Sequence, residues 1–293
     1  MQMMMRSTCP GWIVGVLWLC CATAAVSAAE RKTYDLRYRP AVGQRWAFEQ
    51  SSDSTFNVQA GVNRANATTS KKEVRHSQLI VTCDEVLDVA DGKCTAKRVT
   101  FGKGCFAFEQ IDDQPRRDQR MVYSDKTVTF RMLADGTLDQ DFGVKTNGRH
   151  MRLIRDAILG RTTFFPNQPV AIGDRWRADD VMRELMQLRA SDTLSTIFTL
   201  KAVREQDGRQ VADVTVTAAV LMTDRGMNLE VGIEGAFIVD VATGVPLKED
   251  LIGRSNIAGS GPRGITMSGA GTFEFHRATR PLPPAPPQVA DVK

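Results

Sequence analysis

Period-two alternation of apolar and polar residues recurs along most of this chain, and it leaves little room for anything but antiparallel sheet. Tyr34, Leu36 and Tyr38 alternate with Asp35, Arg37 and Arg39; Val128, Phe130 and Met132 alternate with Thr127, Thr129 and Arg131. Val214, Val216, Ala218 and Val220 alternate with Asp213, Thr215 and Thr217, while Val231, Ile233, Phe237, Val239 and Val241 share one parity. Ile265, Met267, Phe273 and Phe275 do the same near the C-terminus. One apolar and one polar face per strand means antiparallel strands with a wet side. With Asp-Gly, Thr-Gly and Gly-Pro as punctuation, the expected class is mainly β, built of antiparallel strands.

Parity also sizes the hairpin loops. Phe198, Leu200 and Ala202 are even, as are Ala212, Val214 and Val216 beyond Asp207-Gly208. A two-residue turn would set apolar against polar across the ladder. A three-residue loop Gln206-Asp207-Gly208, with Gly208 left-handed, pairs Leu200 with Val214 instead. The same treatment of Ala90-Asp91-Gly92 pairs Val81 with Phe101 and Cys83 with Val99, and puts Cys83 and Cys94 on opposite faces. A bridge between those two is disfavoured, and Cys105 with either partner stays open.

One or two short helices are expected mid-chain. Met151, Ile154 and Ile158 fall at helical spacing within 148–159, between Asn147 as cap and Gly160 as stop. Residues 179–188 fit helix or strand, with Asp179 or Asp180 to cap a helix.

The termini stand apart from the sheet. No charge occurs between Arg6 and Glu30, and Trp12 to Cys21 is almost continuously apolar. Small residues at Val26 and Ala28 complete the order of a secretory signal peptide cleaved after Ala28. Export to the periplasm or the extracellular space follows. Cleavage removes Cys9, Cys20 and Cys21 and leaves Cys83, Cys94 and Cys105, too few for a disulfide scaffold. The domain plan is therefore a signal peptide at 1–28, one β domain at 29–279 and a disordered proline-rich tail at 280–293, where Pro281, Pro283, Pro284, Pro286 and Pro287 fall close together.

Within the β domain there is an internal echo. Residues 40–46 read Pro-Ala-Val-Gly-Gln-Arg-Trp, and 169–176 read Pro-Val-Ala-Ile-Gly-Asp-Arg-Trp. Each is followed by a strand, an Asp-Gly turn and a strand, then by a second hairpin near Asp135-Gly136 or Thr243-Gly244. Matched landmarks in the same order suggest two pseudo-repeats, about 34–142 and 165–276. Gly43 and Gly173 supply turns, and Trp46 and Trp176 start strands with their rings over the end of the core.

The N-terminal Tyr-x-Leu-x-Tyr-x-Pro-x-x-Gly-x-x-Trp strand, the mid-chain Pro-x-x-x-Gly-Asp-x-Trp and the late Asp240-x-x-Thr243-Gly244 hairpin carry a resemblance. They resemble a class of exported bacterial β-proteins with Gly-x-x-Trp strand starts, similar to the half-barrels that carry lipids or lipoproteins between membranes. The resemblance implies a large curved sheet and brings no catalytic residues.

Enzyme chemistry finds no foothold. The three histidines, His76, His150 and His276, are far apart in sequence, and no His-x-x-x-His, Cys-x-x-Cys or Gly-x-Ser-x-Gly occurs. No catalytic, cofactor or metal residue is assigned. Thirty-eight cations against 34 anions give +4, too near neutral for a nucleic-acid partner, and 7% aromatic residues are thin for the girdles of a membrane barrel. Arg149, Arg152 and Arg155, with His150, form a basic cluster that would meet an anionic surface. Two readings remain. One is a non-enzymatic β-protein holding a lipid or other apolar ligand within a curved sheet, which calls for an apolar lumen of roughly 300 Å³ or more. The other is an envelope or extracellular protein-interaction module with a closed core.

Overall fold

The computed structural model describes residues 31–62, 70–121, 123–132, 138–141, 164–185, 188–224, 226–260 and 265–284. Its strands are β1 (Thr33–Tyr34), β2 (Arg45–Val62), β3 (Ser70–Ala90), β4 (Lys93–Phe101), β5 (Phe106–Ile111), β6 (Arg117–Arg120), β7 (Thr127–Met132) and β8 (Leu138–Asp141). Later in the chain come β9 (Val170–Ala171), β10 (Arg175–Trp176), β11 (Thr193–Gln206), β12 (Arg209–Asp224), β13 (Met227–Asp240), β14 (Pro246–Ser260) and β15 (Ile265–Leu282). The one helix among the described residues is α1 (Asp179–Leu185).

Thirteen strands form one antiparallel sheet in the order β10-β11-β12-β13-β14-β15-β2-β3-β4-β7-β8, with β5 and β6 attached beside β3. The sheet does not close into a barrel. It consists of two meanders lying side by side. β11 to β15 pair in chain order, β2 to β4 do likewise, and the ladder of β15 with β2, from Ile265↔Val62 to Leu282↔Arg45, joins them. Hairpins bring sequence neighbours together cheaply, so within this sheet the long-range ladder of β15 with β2 carries the join between the halves, while β1 and β9 pair in a separate two-stranded sheet.

The expected alternation is realised. On β12, Val214, Val216, Ala218 and Val220 are buried while Thr217 and Ala219 are exposed. Three apolar clusters cover one end of the apolar face. Tyr34 and Leu36 join Phe165, Val170, Phe198, Leu200, Val214 and Phe237 in the largest. Trp46 and Phe48 meet Val245 in a second, and Val99, Phe101, Met121, Tyr123, Val128 and Phe130 form the third. Burial pushes the Tyr123 phenol up to about 12.

Both hairpin loops differ from expectation by one residue, and for one reason. Gln206 pairs with Arg209, and Ala90 with Lys93, so each turn has two residues rather than three. Asp207 and Gly208 (φ 52° and 70°), like Asp91 and Gly92 (φ 50° and 70°), are both left-handed, the signature of a type I′ turn. Gly208 is left-handed as expected. The parity of β11 is restored by a bulge between Leu200 and Ala202, and Leu200 still faces Val214. In the other hairpin two irregularities around Asp88 offset one another, so Cys83 pairs with Thr100 and Phe101 with Thr82, not with Val99 and Val81. Cys83, Cys94 and Cys105 are all free thiols.

Residues 179–185 are helix. The Asp179 carboxylate does not serve its own helix: it accepts from Thr196 N and Oγ1 on β11, at 2.7 and 2.6 Å. Burial works against that ionised form, and the bonds from Thr196 and from Arg177 outweigh it, holding the carboxyl below its usual range. The expected proline tail begins later than residue 280. Arg280, Pro281 and Leu282 belong to β15, opposite Ala47, Trp46 and Arg45. Past Ala278 only β2 flanks this strand, where a proline's missing N–H is tolerated. The signal segment at 1–28, the helix at 148–159 with Arg149, Arg152 and Arg155, and residues 285–293 lie outside the described residues. The described residues from Tyr34 onward form one compact unit.

Candidate functional site

Two sequence landmarks are built alike. Gly43 (φ 80°) donates to Val86 O at 2.8 Å, and the next residue's carbonyl, Gln44 O, accepts from Val86 N. Gly173 (φ 91°) donates to Leu200 O at 2.7 Å, and Asp174 O accepts from Leu200 N. The side chains after the glycines repeat the correspondence, since Gln44 Oε1 accepts from Ala41 N and Asp174 Oδ2 from Ala171 N. Each turn then delivers its tryptophan two residues further along the same partner strand, Trp46 opposite Asp84 and Trp176 opposite Phe198. Trp176 stacks on Phe198 with centroids 5.8 Å apart, and its Nε1 donates to Phe164 O at 2.8 Å. Both tryptophans are core pieces at the covered end, and neither faces a binding surface.

The rest of the apolar face is where a site can form. Ladder registers define rows that run straight across the sheet. One is Thr196, Ala218, Ile233, Gly253, Phe273, Ser54 and His76; the next outward is Leu194, Val220, Val231, Ser255, Gly271, Phe56 and Val74. Beyond it lie Met222, Leu229, Ile257, Gly269 and Val58. From β13 to β3 the large side chains of these rows are half-buried, alternating with exposed residues on the other face. The apolar clusters do not reach them.

Close approach gives this surface its texture. A Cβ at Gly253 would collide with the Phe273 ring, one at Gly271 with the Phe56 ring, and one at Gly235 with the Leu251 side chain. Each glycine is the cross-strand partner of the residue that covers it. The rings and the leucine therefore lie down over neighbouring backbone rather than standing off the sheet, leaving a low apolar floor.

Charged groups on this face toward the covered end are paired, while Glu109 (opposite His76), Arg117 (opposite Glu109) and Lys72 (opposite Val58) are exposed charged residues on the same rows. Arg277 binds Glu249 and also donates to Gln50 Oε1 at 3.0 Å; Lys97 Nζ lies 2.6 Å from Asp84 Oδ2. The opposite face is polar and carries His276, whose Nδ1 is 2.9 Å from Asp250 and whose Nε2 is 3.7 Å from Glu274. The hydrogen bond to Asp250 raises the imidazole above its ordinary value, and Glu274 adds to it. Arg116, Arg117 and Arg120 are exposed; Arg117–Arg120 forms the short strand β6, and the Arg116 guanidinium lies 3.7 Å from the centroid of the Phe108 ring.

Two concavities accompany the sheet. One, of about 340 Å³, is lined by Arg120, Met121, Ser124, Asp125 and Lys126. The other, of about 450 Å³, wraps the far tip among Val58, Gly269, Lys71, Lys72, Glu73 and Asp112. Both are lined mainly by polar and charged residues, so neither is the apolar lumen expected of a carrier, and among the described residues the apolar surface is the half-buried part of the sheet face. No cluster of three or more metal-ligating side chains occurs among the described residues, and none of their helices is long and apolar enough to cross a membrane.

Sequence reasoning missed this face. It noted His76 only as an isolated histidine and did not use Ser52, Ser54, Gln78 or Phe56. The signal was the even parity of 46–60, which runs from apolar through polar and back to apolar.

No family model and no curated protein matches the chain. Among solved structures it is similar to lipovitellin, from a study of lipid–protein interactions, at 9% identity and a TM-score of 0.44, covering 84% of this chain and 26% of that one. An outer membrane channel from Pseudomonas putida aligns at 9% identity and a TM-score of 0.23, over 84% and 98% of the two chains. DynF, of the dynemicin biosynthesis pathway of Micromonospora chersina, aligns at 8% identity and a TM-score of 0.19, over 86% of each. The chain spans about a quarter of the lipovitellin chain.

Proposed function

We propose that this protein is an exported, non-enzymatic β-protein that holds a lipid or another apolar ligand against the open part of its sheet. The observation that carries the reading is the set of rows through Ile233, Val231, Leu229, Ile257, Phe273 and Phe56, apolar on one face and only half-buried. A contiguous apolar surface of this kind costs free energy in water and marks a place where something apolar docks. The intact antiparallel ladder beneath gives that surface a fixed floor.

Native mass spectrometry of the protein purified from its own host tests the reading. A reproducible adduct removed by organic extraction is the expected result. Ligand-free protein in every preparation, with a second protein co-purifying at fixed stoichiometry, would support the closed-core interaction module in its place.

A further inference from the structure

The open face is not the same from one side to the other, and the difference narrows the class of ligand. On the β13–β15 side the rows carry Ile233, Leu251, Phe273 and Phe275. On β2 and β3 the same two rows carry Ser52 opposite Gln78 and Ser54 opposite His76. Ser52 is the cross-strand partner of Phe275, and Ser54 that of Phe273, so the change from hydrocarbon to polar groups happens across a single ladder.

All four polar side chains are half-buried, and none makes a hydrogen bond to another described residue. The polar column continues toward the covered end, where Thr82 Oγ1, Thr279 Oγ1 and Trp46 Nε1 are buried with no hydrogen-bond partner among the described residues. In the outward direction it stops at once, because the next positions on β2 and β3 are Phe56 and Val74. A surface built only for hydrocarbon would have no reason to interrupt its apolar rows with four uncommitted hydrogen-bonding groups. The quartet contains no Lys or Arg; Arg277, toward the covered end, is already committed to Glu249 and Gln50, and the row of Ser54 and His76 continues across β5 and β6 to the exposed Glu109 and Arg117.

Resting on the function proposed above, we infer that the ligand is an amphiphile lying across the sheet. Its hydrocarbon covers Phe273 and Phe275, and an uncharged hydroxyl or ester group makes one or two hydrogen bonds within the quartet Ser52, Ser54, His76 and Gln78.

Fluorescence titration with three matched probes tests this at a pH of about 8, above the ordinary histidine range. Decylpyrene has no polar group, pyrenyldecanol ends in a hydroxyl, and pyrenyldecanoate ends in a carboxylate. The expected result is that pyrenyldecanol binds about tenfold more tightly than decylpyrene, the effect of one or two hydrogen bonds made to groups otherwise left unmet. In the Ser52→Ala/Ser54→Ala variant that preference, read as the ratio of the two affinities in the same variant, should shrink to below about threefold. Circular dichroism checks that the variant folds, and Gln78→Leu is read in the same way if it does not. Equal binding of the first two probes, tightest binding of pyrenyldecanoate, or an unchanged preference in the variants would overturn the amphiphile assignment and leave apolar binding standing. Binding of none of the probes would overturn the proposed function itself.

Discussion

Val86 and Leu200 are held in the same way. The carbonyl of each accepts from a left-handed glycine, Gly43 or Gly173, and the N–H of each donates to the carbonyl of the residue after that glycine. Both are core residues, 1% and 0% exposed, so the two Gly-x-x-Trp segments clamp equivalent points of the two meanders.

That equivalence predicts matched costs. Nothing lies within 4 Å of a Cβ added at Gly43, so Gly43→Ala pays only for the left-handed backbone, about 1–2 kcal/mol. Gly173→Ala meets the same backbone demand and should lose a similar amount. Urea denaturation midpoints of the two variants measure it, and a cost confined to one site would end the structural correspondence.

Gly253 and Phe273 offer a test of the apolar floor. Gly253→Ala places a methyl group where the Phe273 ring now lies, and should cost about 1–3 kcal/mol through overpacking. Removing the ring removes the clash, so Gly253→Ala combined with Phe273→Ala should be less destabilised than the two single losses added together. Strict additivity in a double-mutant cycle would mean that the ring does not rest there.

Lys97 and Asp84 form an ion pair with side chains 9% and 3% exposed. Lys97→Ala removes the ion-pair partner of a buried carboxylate and should cost about 3–5 kcal/mol. Lys97→Met together with Asp84→Leu removes both charges and should recover most of that loss. Thermal unfolding compares them, and a double variant no better than Lys97→Ala would refute the pair's role.

On the polar face, pH acts through His276 and Asp250. The imidazole is raised by its bond to Asp250, so its stabilising contribution is full below the ordinary value of 6.5 and fades as pH rises through the higher folded value. Asp250 is held low first by Lys248 and then by His276, so its contribution is present above the usual carboxylate range and is lost as pH falls through its depressed value. A proton NMR titration of His276 should give a midpoint above 6.5 that returns toward it in Asp250→Asn. A midpoint unmoved by that substitution would count against the contact. The effect on stability is small because both side chains are more than a third exposed.

Much of the fold was legible along the chain because strand faces are set by local parity. The alternation in 213–220 and 127–132 needs no knowledge of neighbours, and the Asp-Gly and Gly-x-x-Trp turns are demanded by backbone sterics at one or two residues. The loop lengths failed for a physical reason: parity counts residues but cannot say where an extra one sits. The chain placed it in a bulge at Lys201 rather than in the turn, which keeps the favoured type I′ geometry. Pro281 misled for a related reason, since a proline-rich composition suggests a tail until a single remaining neighbour, β2, makes strand pairing acceptable.

The amino-acid sequence by itself determined that the protein is a β-sheet with one apolar face, where its turns fall, and that two segments repeat. Only the tertiary structure decided that β15 pairs with β2, because that ladder joins residues more than 200 positions apart and no local preference encodes it. The join puts Phe273 and Phe275 beside Ser54 and Ser52, and so creates the boundary between hydrocarbon and polar groups on which the ligand assignment rests.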